Sequence, residues 1–90
     1  MAEHSDAYII GRLIERLRLL IAISDEIPTE TKLQTQGILK MLQAELAAPD
    51  EDEHDRTQVR AQYAMLYDDL EPYADLEALL SAMRTFISYL

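Results

Sequence analysis

Glu51 and His54 are the residues whose types and spacing come closest to a catalytic metal motif. Residues three apart share one helix face, and a Glu-x-x-His pair is half of the ligand set of a di-iron carboxylate bundle. A complete site needs a second such pair and two more inward-facing glutamates. The chain has only two histidines, and the other, His4, lies outside every helical pattern. Because Glu15 and Glu45 also fall away from the core-facing positions, we expect no metal and no cofactor.

Residues for nucleophilic or acid–base catalysis are equally scarce. The chain contains no cysteine, which excludes thiolate chemistry, disulfides and zinc–thiolate sites. Its serines lie at termini or helix ends, where no arrangement with a histidine suggests a triad, and its two isolated glycines form no phosphate-binding loop. Carboxylates are plentiful, but exposure leaves them without the desolvation that tunes an acid–base pair. We therefore expect that the protein is not an enzyme.

Acidic side chains are concentrated in one part of the chain. Residues 49–75 hold nine of the 17 aspartates and glutamates but only two arginines, so this segment carries −7 of the net charge of −9. A helix would separate the two clusters of acid by about 25 Å. The first cluster is Asp50, Glu51, Asp52 and Glu53, and the second is Asp68, Asp69 and Glu71.

Two explanations of these acids remain open. Acidic side chains at the start of a helix are stabilised by the helix dipole, by roughly 0.3–1 kcal/mol each, which accounts for the first cluster. It does not account for Asp68 and Asp69, which fall at the end of the same helix. The alternative is contact with a basic partner, including mimicry of nucleic acid in a basic groove. Because Arg56 and Arg60 interrupt the charge, two separated basic sites suit it better than a continuous row of phosphates.

Four helices must position these residues, since apolar side chains recur at helical spacing in four segments. We expect helices over residues 6–23, 28–47, about 50–69 and 75–89, separated by turns with proline. Asp75 is the predicted N-cap of the last helix, and the alternative is a start one turn earlier at Pro72. The predicted core-facing residues are Ile9, Ile10, Leu13, Ile14, Leu17, Leu20 and Ile21 in the first helix, Thr35, Ile38, Leu39, Leu42 and Leu46 in the second, Val59, Tyr63, Leu66, Tyr67 and Leu70 in the third, and Leu76, Leu79, Leu80, Met83, Phe86, Ile87 and Leu90 in the fourth.

The length and composition set the fold class. A chain of 90 residues makes one domain, and 49% hydrophobic residues are enough for a globular core. Four amphipathic helices joined by short loops predict an all-α fold, a small antiparallel four-helix bundle over residues 1–90. The alternative is a three-helix core with one splayed helix.

Several apolar or small residues lie outside the core-facing positions of the first two helices. They are Tyr8, Leu19 and Ile23, on a line that also holds Arg12 and Glu15, and Leu33 and Gly37 on a second face. Lines of this kind on adjacent helices form a patch suited to a protein partner. Each helix of a bundle touches two neighbours, however, so part of the patch can equally belong to a wider core.

These features predict a non-catalytic protein–protein interaction module that self-associates through its first two helices. We expect a homo-oligomer, with a protein partner that is basic if the acids are functional. The competing hypothesis is an acidic inhibitor that occupies the basic groove of a nucleic-acid-binding protein. The net charge of −9 repels nucleic acid and anionic membranes, so we expect binding to neither. The absence of cysteine and of a signal peptide pattern fits a cytoplasmic protein.

Overall fold

Four α-helices make up nearly all of the described chain. The structure is a computed structural model, and it describes residues 6–47 and 56–89. The helices are α1 (Asp6–Ile23), α2 (Thr29–Leu46), α3 (Arg56–Leu70) and α4 (Glu77–Ser88), and a 3₁₀ turn over Ala74–Leu76 leads into α4. These two segments contain no β-strand, so the all-α prediction is confirmed. No helix within them combines the length and apolar character needed to cross a membrane.

The helices follow one another around a small bundle. α1 packs closely against both α2 and α4, and α2 packs against α3, whereas the backbones of α3 and α4 approach each other less closely. α1 and α2 are antiparallel, because Arg18 contacts Gln36 while Ala22, one turn later, is contacted by Lys32. All four helices contribute buried residues, which agrees with the predicted bundle.

The core is formed by the residues at helical spacing that the sequence indicates. On α2 the agreement is complete, since Thr35, Ile38, Leu39, Leu42 and Leu46 are all buried. The buried hydroxyl of Thr35 is satisfied by its own helix, because it donates to the carbonyl of residue 31 at 2.7 Å and of residue 32 at 3.2 Å. On α1 the fully buried row is Ile10, Ile14, Leu17 and Ile21. Burying a side chain of this size stabilises the fold by about 1.5–3 kcal/mol.

Some details of the helix boundaries and of α3 differ from the prediction. Pro28 is the extended N-cap residue of α2 rather than its first residue. Asp75 lies inside the 3₁₀ turn, and neither that turn nor α4 has a side-chain cap hydrogen bond. Tyr67, predicted in the core, is 37% exposed, because it faces the open groove between α3 and α4. Leu90 lies outside the described residues.

Candidate protein-interaction surface

A polar network around Arg18 fixes the pairing of α1 and α2. The Arg18 guanidinium donates from Nε to Gln36 Oε1 at 3.0 Å and from Nη1 to Gln43 Oε1 at 3.2 Å. Gln36 Nε2 in turn donates to the Arg18 carbonyl at 2.8 Å, and Lys32 Nζ donates to the Ala22 carbonyl at 3.2 Å. Because these bonds connect named positions on the two helices, they set the register of the pair. The sequence prediction did not identify this network.

Tyr8, Arg12, Glu15 and Leu19 form a line along the outer side of α1, which we call the α1 outer line. At about 100° per residue, the four positions fall within an arc of about 60°, opposite the buried row. Tyr8 and Leu19 are 48% and 56% exposed. Arg12 Nη1 and Glu15 Oε2 lie 3.8 Å apart between them, and both side chains are mostly exposed. An ion pair this exposed adds little to the stability of the monomer.

Two shallow grooves between α1 and α2 adjoin the α1 outer line. Glu15 lines both of them. Tyr8 and Gln43 belong to the first groove, and Leu19 and Gln36 belong to the second. The surface is therefore continuous from α1 onto α2, and the two glutamines of the polar network form part of it.

The other apolar candidates lie apart from these grooves. Ile23 is 66% exposed, and it lines a separate cavity at the end of the bundle. Leu33 is 71% exposed on α2. Gly37 is half-buried, and a Cβ atom built there meets no neighbour within 4 Å among the described residues. The described fold therefore makes no use of Gly37 for close helix approach.

The first acidic cluster and the metal motif fall outside the described residues. This holds for Asp50, Glu51, Asp52, Glu53 and His54. Within residues 6–47 and 56–89, no group of three or more histidines, aspartates or glutamates could hold a metal ion.

The residues of the second acidic cluster face different ways. Asp68 lines a groove between α3 and α4 that also contains Arg84. Glu71 lines an adjoining groove together with Glu77. Asp69 lines neither groove and is half-buried, and its Oδ2 atom is buried without a hydrogen-bond partner. The structure thus brings Asp68 and Glu71 to one side of the bundle and leaves Asp69 out.

Tyr63 crosses the contact between α3 and α4. Its hydroxyl donates to the Leu80 carbonyl at 2.7 Å, and its ring centroid lies 6.3 Å from that of Tyr67. Burial raises the pKa of Tyr63 above the ordinary 10.0, an effect that the charge of Arg84 opposes and that of Tyr67 reinforces. The buried phenol is therefore a neutral donor across the whole physiological pH range.

No family model, no curated protein and no solved structure matches the chain. The α1 outer line and its grooves bring together Tyr8, Arg12 and Leu19 of the predicted set with Glu15, which the spacing placed on the same line.

Proposed function

We propose that the protein is a non-catalytic interaction module that forms a homodimer through the α1 outer line and the adjoining surface of α2. The observation that carries this proposal is the order of residues along the line. Tyr8 and Leu19 are equally distant from a point between residues 13 and 14, and so are Arg12 and Glu15. If two α1 helices pair antiparallel about a twofold axis at this point, Tyr8 lies opposite Leu19 and Arg12 lies opposite Glu15.

A twofold interface repeats each of its contacts, because the same surface patch is used by both copies. The pairing would therefore form two Arg12–Glu15 ion pairs between subunits, flanked by two contacts between Tyr8 and Leu19. The apolar contacts supply affinity because they remove side chains from water that are about half exposed in the monomer. The ion pairs mainly select the register and the partner.

The distribution of charge supports a second copy as the occupant of this surface. Residues 1–24 are electrically neutral and residues 25–48 carry only −2, whereas residues 49–75 carry −7. Two molecules with a net charge of −9 repel each other over most approaches. The side formed by α1 and α2 therefore meets less of this repulsion than a surface that includes residues 49–75.

Charge exchange at Arg12 and Glu15 tests the dimer and its register. Arg12→Glu alone places like charges opposite each other twice, and Glu15→Arg alone does the same. We expect each single variant to dimerise at least about tenfold more weakly, and the double variant to return to within about threefold of wild type. Sedimentation equilibrium from about 10 μM to about 1 mM covers the affinity range of modest interfaces.

A matched pair of apolar variants distinguishes association through this surface from nonspecific hydrophobic association. Leu19→Ser removes a contact of the α1 outer line, and Met65→Ser alters an apolar side chain of α3 that is similarly exposed, at 53% against 56%. Only Leu19→Ser should weaken dimerisation. A wild-type protein that stays monomeric throughout would refute the proposal, and so would a double charge exchange that fails to restore the dimer.

The acidic inhibitor remains a second candidate on one observation. Asp68, Glu71 and Glu77 all line adjoining grooves between α3 and α4, where they would attract a basic partner. Replacing Asp68 and Glu71 with their amides should then weaken capture of that partner, while Asp69→Asn should not. We rank this function below dimerisation because Arg84 lies in the same groove as Asp68 and offsets part of the charge.

A further inference from the structure

A cavity of about 430 Å³ opens at the end of the bundle where α1 finishes. Its walls come from the last turn of α1, the turn between α1 and α2, and the segment that precedes α4. The apolar lining residues are Leu20, Ile23, Ile27, Tyr73 and Leu76. Ile27 and Leu76 are only 4% and 3% exposed, so the floor of the cavity is continuous with the core. Its volume lies in the range of about 300–1,000 Å³ that is typical of ligand sites.

The polar groups around this apolar cavity carry charge of one sign. Asp25, Glu26 and Asp75 line it and are exposed, and its lining includes no lysine or arginine. The last turn of α1 contains no basic residue, so the negative end of the helix dipole adds to the field of the carboxylates. Lys32 of α2 donates to the Ala22 carbonyl from outside the lining and offsets part of this dipole, so the three carboxylates supply most of the negative field.

Local hydrogen bonds connect residues within both loops of the cavity. The Glu26 N–H group donates to Ser24 Oγ at 3.2 Å. On the other side, the Leu76 N–H group donates to the Tyr73 carbonyl at 3.0 Å. These bonds restrict both loops, and a restricted site loses less conformational entropy on binding.

We infer that this cavity binds an arginine side chain of a basic peptide segment whose neighbouring residues are apolar. A long cationic side chain can place its methylene groups against an apolar wall and keep its charge at a polar rim. Tyr73 supplies an aromatic ring, to which a guanidinium group is attracted more readily than a lysine ammonium. A hard metal ion is disfavoured because it needs oxygen ligands on several sides, whereas these walls are mostly hydrocarbon. The site shares no residue with the α1 outer line, so it goes beyond the proposed dimer.

A peptide pair that differs only in charge tests the inference. The probes are acetyl-Leu-Arg-Leu-amide and the same peptide with citrulline, a neutral analogue of nearly the same shape, in place of arginine. Each is titrated into ¹⁵N-labelled protein, and the amide signals are followed by NMR. We expect the arginine peptide to shift the signals of residues 23–27 and 73–76, and to bind at least about tenfold more tightly than the citrulline peptide because of the charge-assisted contact.

Two double variants with the same change in net charge locate the site. Glu26→Gln with Asp75→Asn removes two carboxylates from the cavity, and Asp68→Asn with Glu71→Gln removes two from the grooves between α3 and α4. All four side chains are exposed, so both proteins should fold. We expect only Glu26→Gln with Asp75→Asn to weaken binding of the arginine peptide, by about tenfold or more.

The possible results separate this inference from its competitors. Equal binding of the two peptides, or equal weakening by the two double variants, would overturn it in favour of a simple apolar or net-charge effect. Shifts confined to the grooves between α3 and α4 would overturn it in favour of the acidic inhibitor surface. Arg12 lies outside the cavity, so Arg12→Glu should bind the peptide like wild type even though it weakens the proposed dimer. The dimer proposal and the peptide inference can therefore fail separately.

Discussion

The contact between α1 and α2 and the contact between α3 and α4 are built in different ways. α1 and α2 pack closely and are joined by the Arg18 guanidinium and two glutamine side chains. α3 and α4 approach less closely and are bridged by the hydroxyl of Tyr63. The grooves on this second side are lined by three carboxylates and one arginine.

The difference shows how charge is distributed between two helix contacts of an acidic chain. One cation surrounded by neutral amides leaves little repulsion across the contact between α1 and α2, where the two helices pack closely. Carboxylates that face the same groove repel each other, and an aromatic bridge spans the wider gap with a single hydrogen bond. The nearly neutral side carries the surface proposed for self-association, and the acidic side carries the grooves lined by carboxylates.

The largest expected effect comes from breaking the network of the first contact. Arg18→Ala should lower the free energy of unfolding by about 2 kcal/mol, because it removes two charge-assisted hydrogen bonds to glutamines that are half-buried. Urea denaturation measures the change. Arg16→Ala, on the exposed side of the same helix, is the control and should change it by less than about 0.5 kcal/mol. Equal effects of the two variants would show that the network does not hold the helices together.

An intermediate effect is expected at the second contact. Tyr63→Phe should lower the free energy of unfolding by about 1 kcal/mol at neutral pH, since it removes the hydrogen bond to the Leu80 carbonyl. The cost is smaller than at Arg18 because both partners of this bond are uncharged. Urea denaturation of the two variants side by side tests this order, and a larger loss in Tyr63→Phe would reverse the comparison between the contacts.

The same variant makes a prediction about pH. Burial raises the pKa of Tyr63 above 10.0 in the folded state, so above pH 10 the unfolded chain releases a proton that the folded chain retains. Unfolding therefore becomes more favourable as the pH rises through this range. The stability advantage of wild type over Tyr63→Phe should shrink between pH 8 and pH 11, as followed by urea denaturation at each pH. Parallel curves would contradict the role of the buried phenol.

The smallest effect is expected at the end of α3. Asp68 and Asp69 both lie in its last turn, where negative charge opposes the helix dipole, but only Asp69 has a buried oxygen without a hydrogen-bond partner. Asp69→Asn should therefore stabilise the protein by about 0.5 kcal/mol more than Asp68→Asn. Thermal unfolding of the two variants, which differ from wild type by the same charge, measures this difference. The opposite order would indicate that Asp69 stabilises α3.

The fold was largely predictable because each helix carries its own periodicity. The positions of α2 that face the core follow from spacing alone, and all five are buried. Tyr67 could not be placed in the same way, since its exposure depends on the distance between α3 and α4 rather than on its own helix. Gln62 is likewise 95% buried in the structure, at 5% exposure, although its polar side chain gave no indication of this.

The candidate surface was predictable only along a single helix. Tyr8, Arg12 and Leu19 share a face by their spacing, and the structure keeps them together. Ile23 was predicted on the same line, but in the structure it lines a separate cavity formed with the loops at the end of the bundle. The partners of Arg18 had a recognisable signal, because Gln36 and Gln43 lie seven residues apart on one side of α2. The packing of α1 against α2 was needed to show that Arg18 is the cation they contact.

The pairing of α1 with α4 has a consequence for the synthesis of the protein. The buried row of α1 is covered on one side by the helix that leaves the ribosome last among those described. At about 5–20 residues per second, α2 and α3 delay that partner by several seconds. During this interval the part of the buried row that α4 covers in the folded protein has no partner from α4. We therefore expect the α1–α2 hairpin to be the segment on which molecular chaperones act while the chain is still being made.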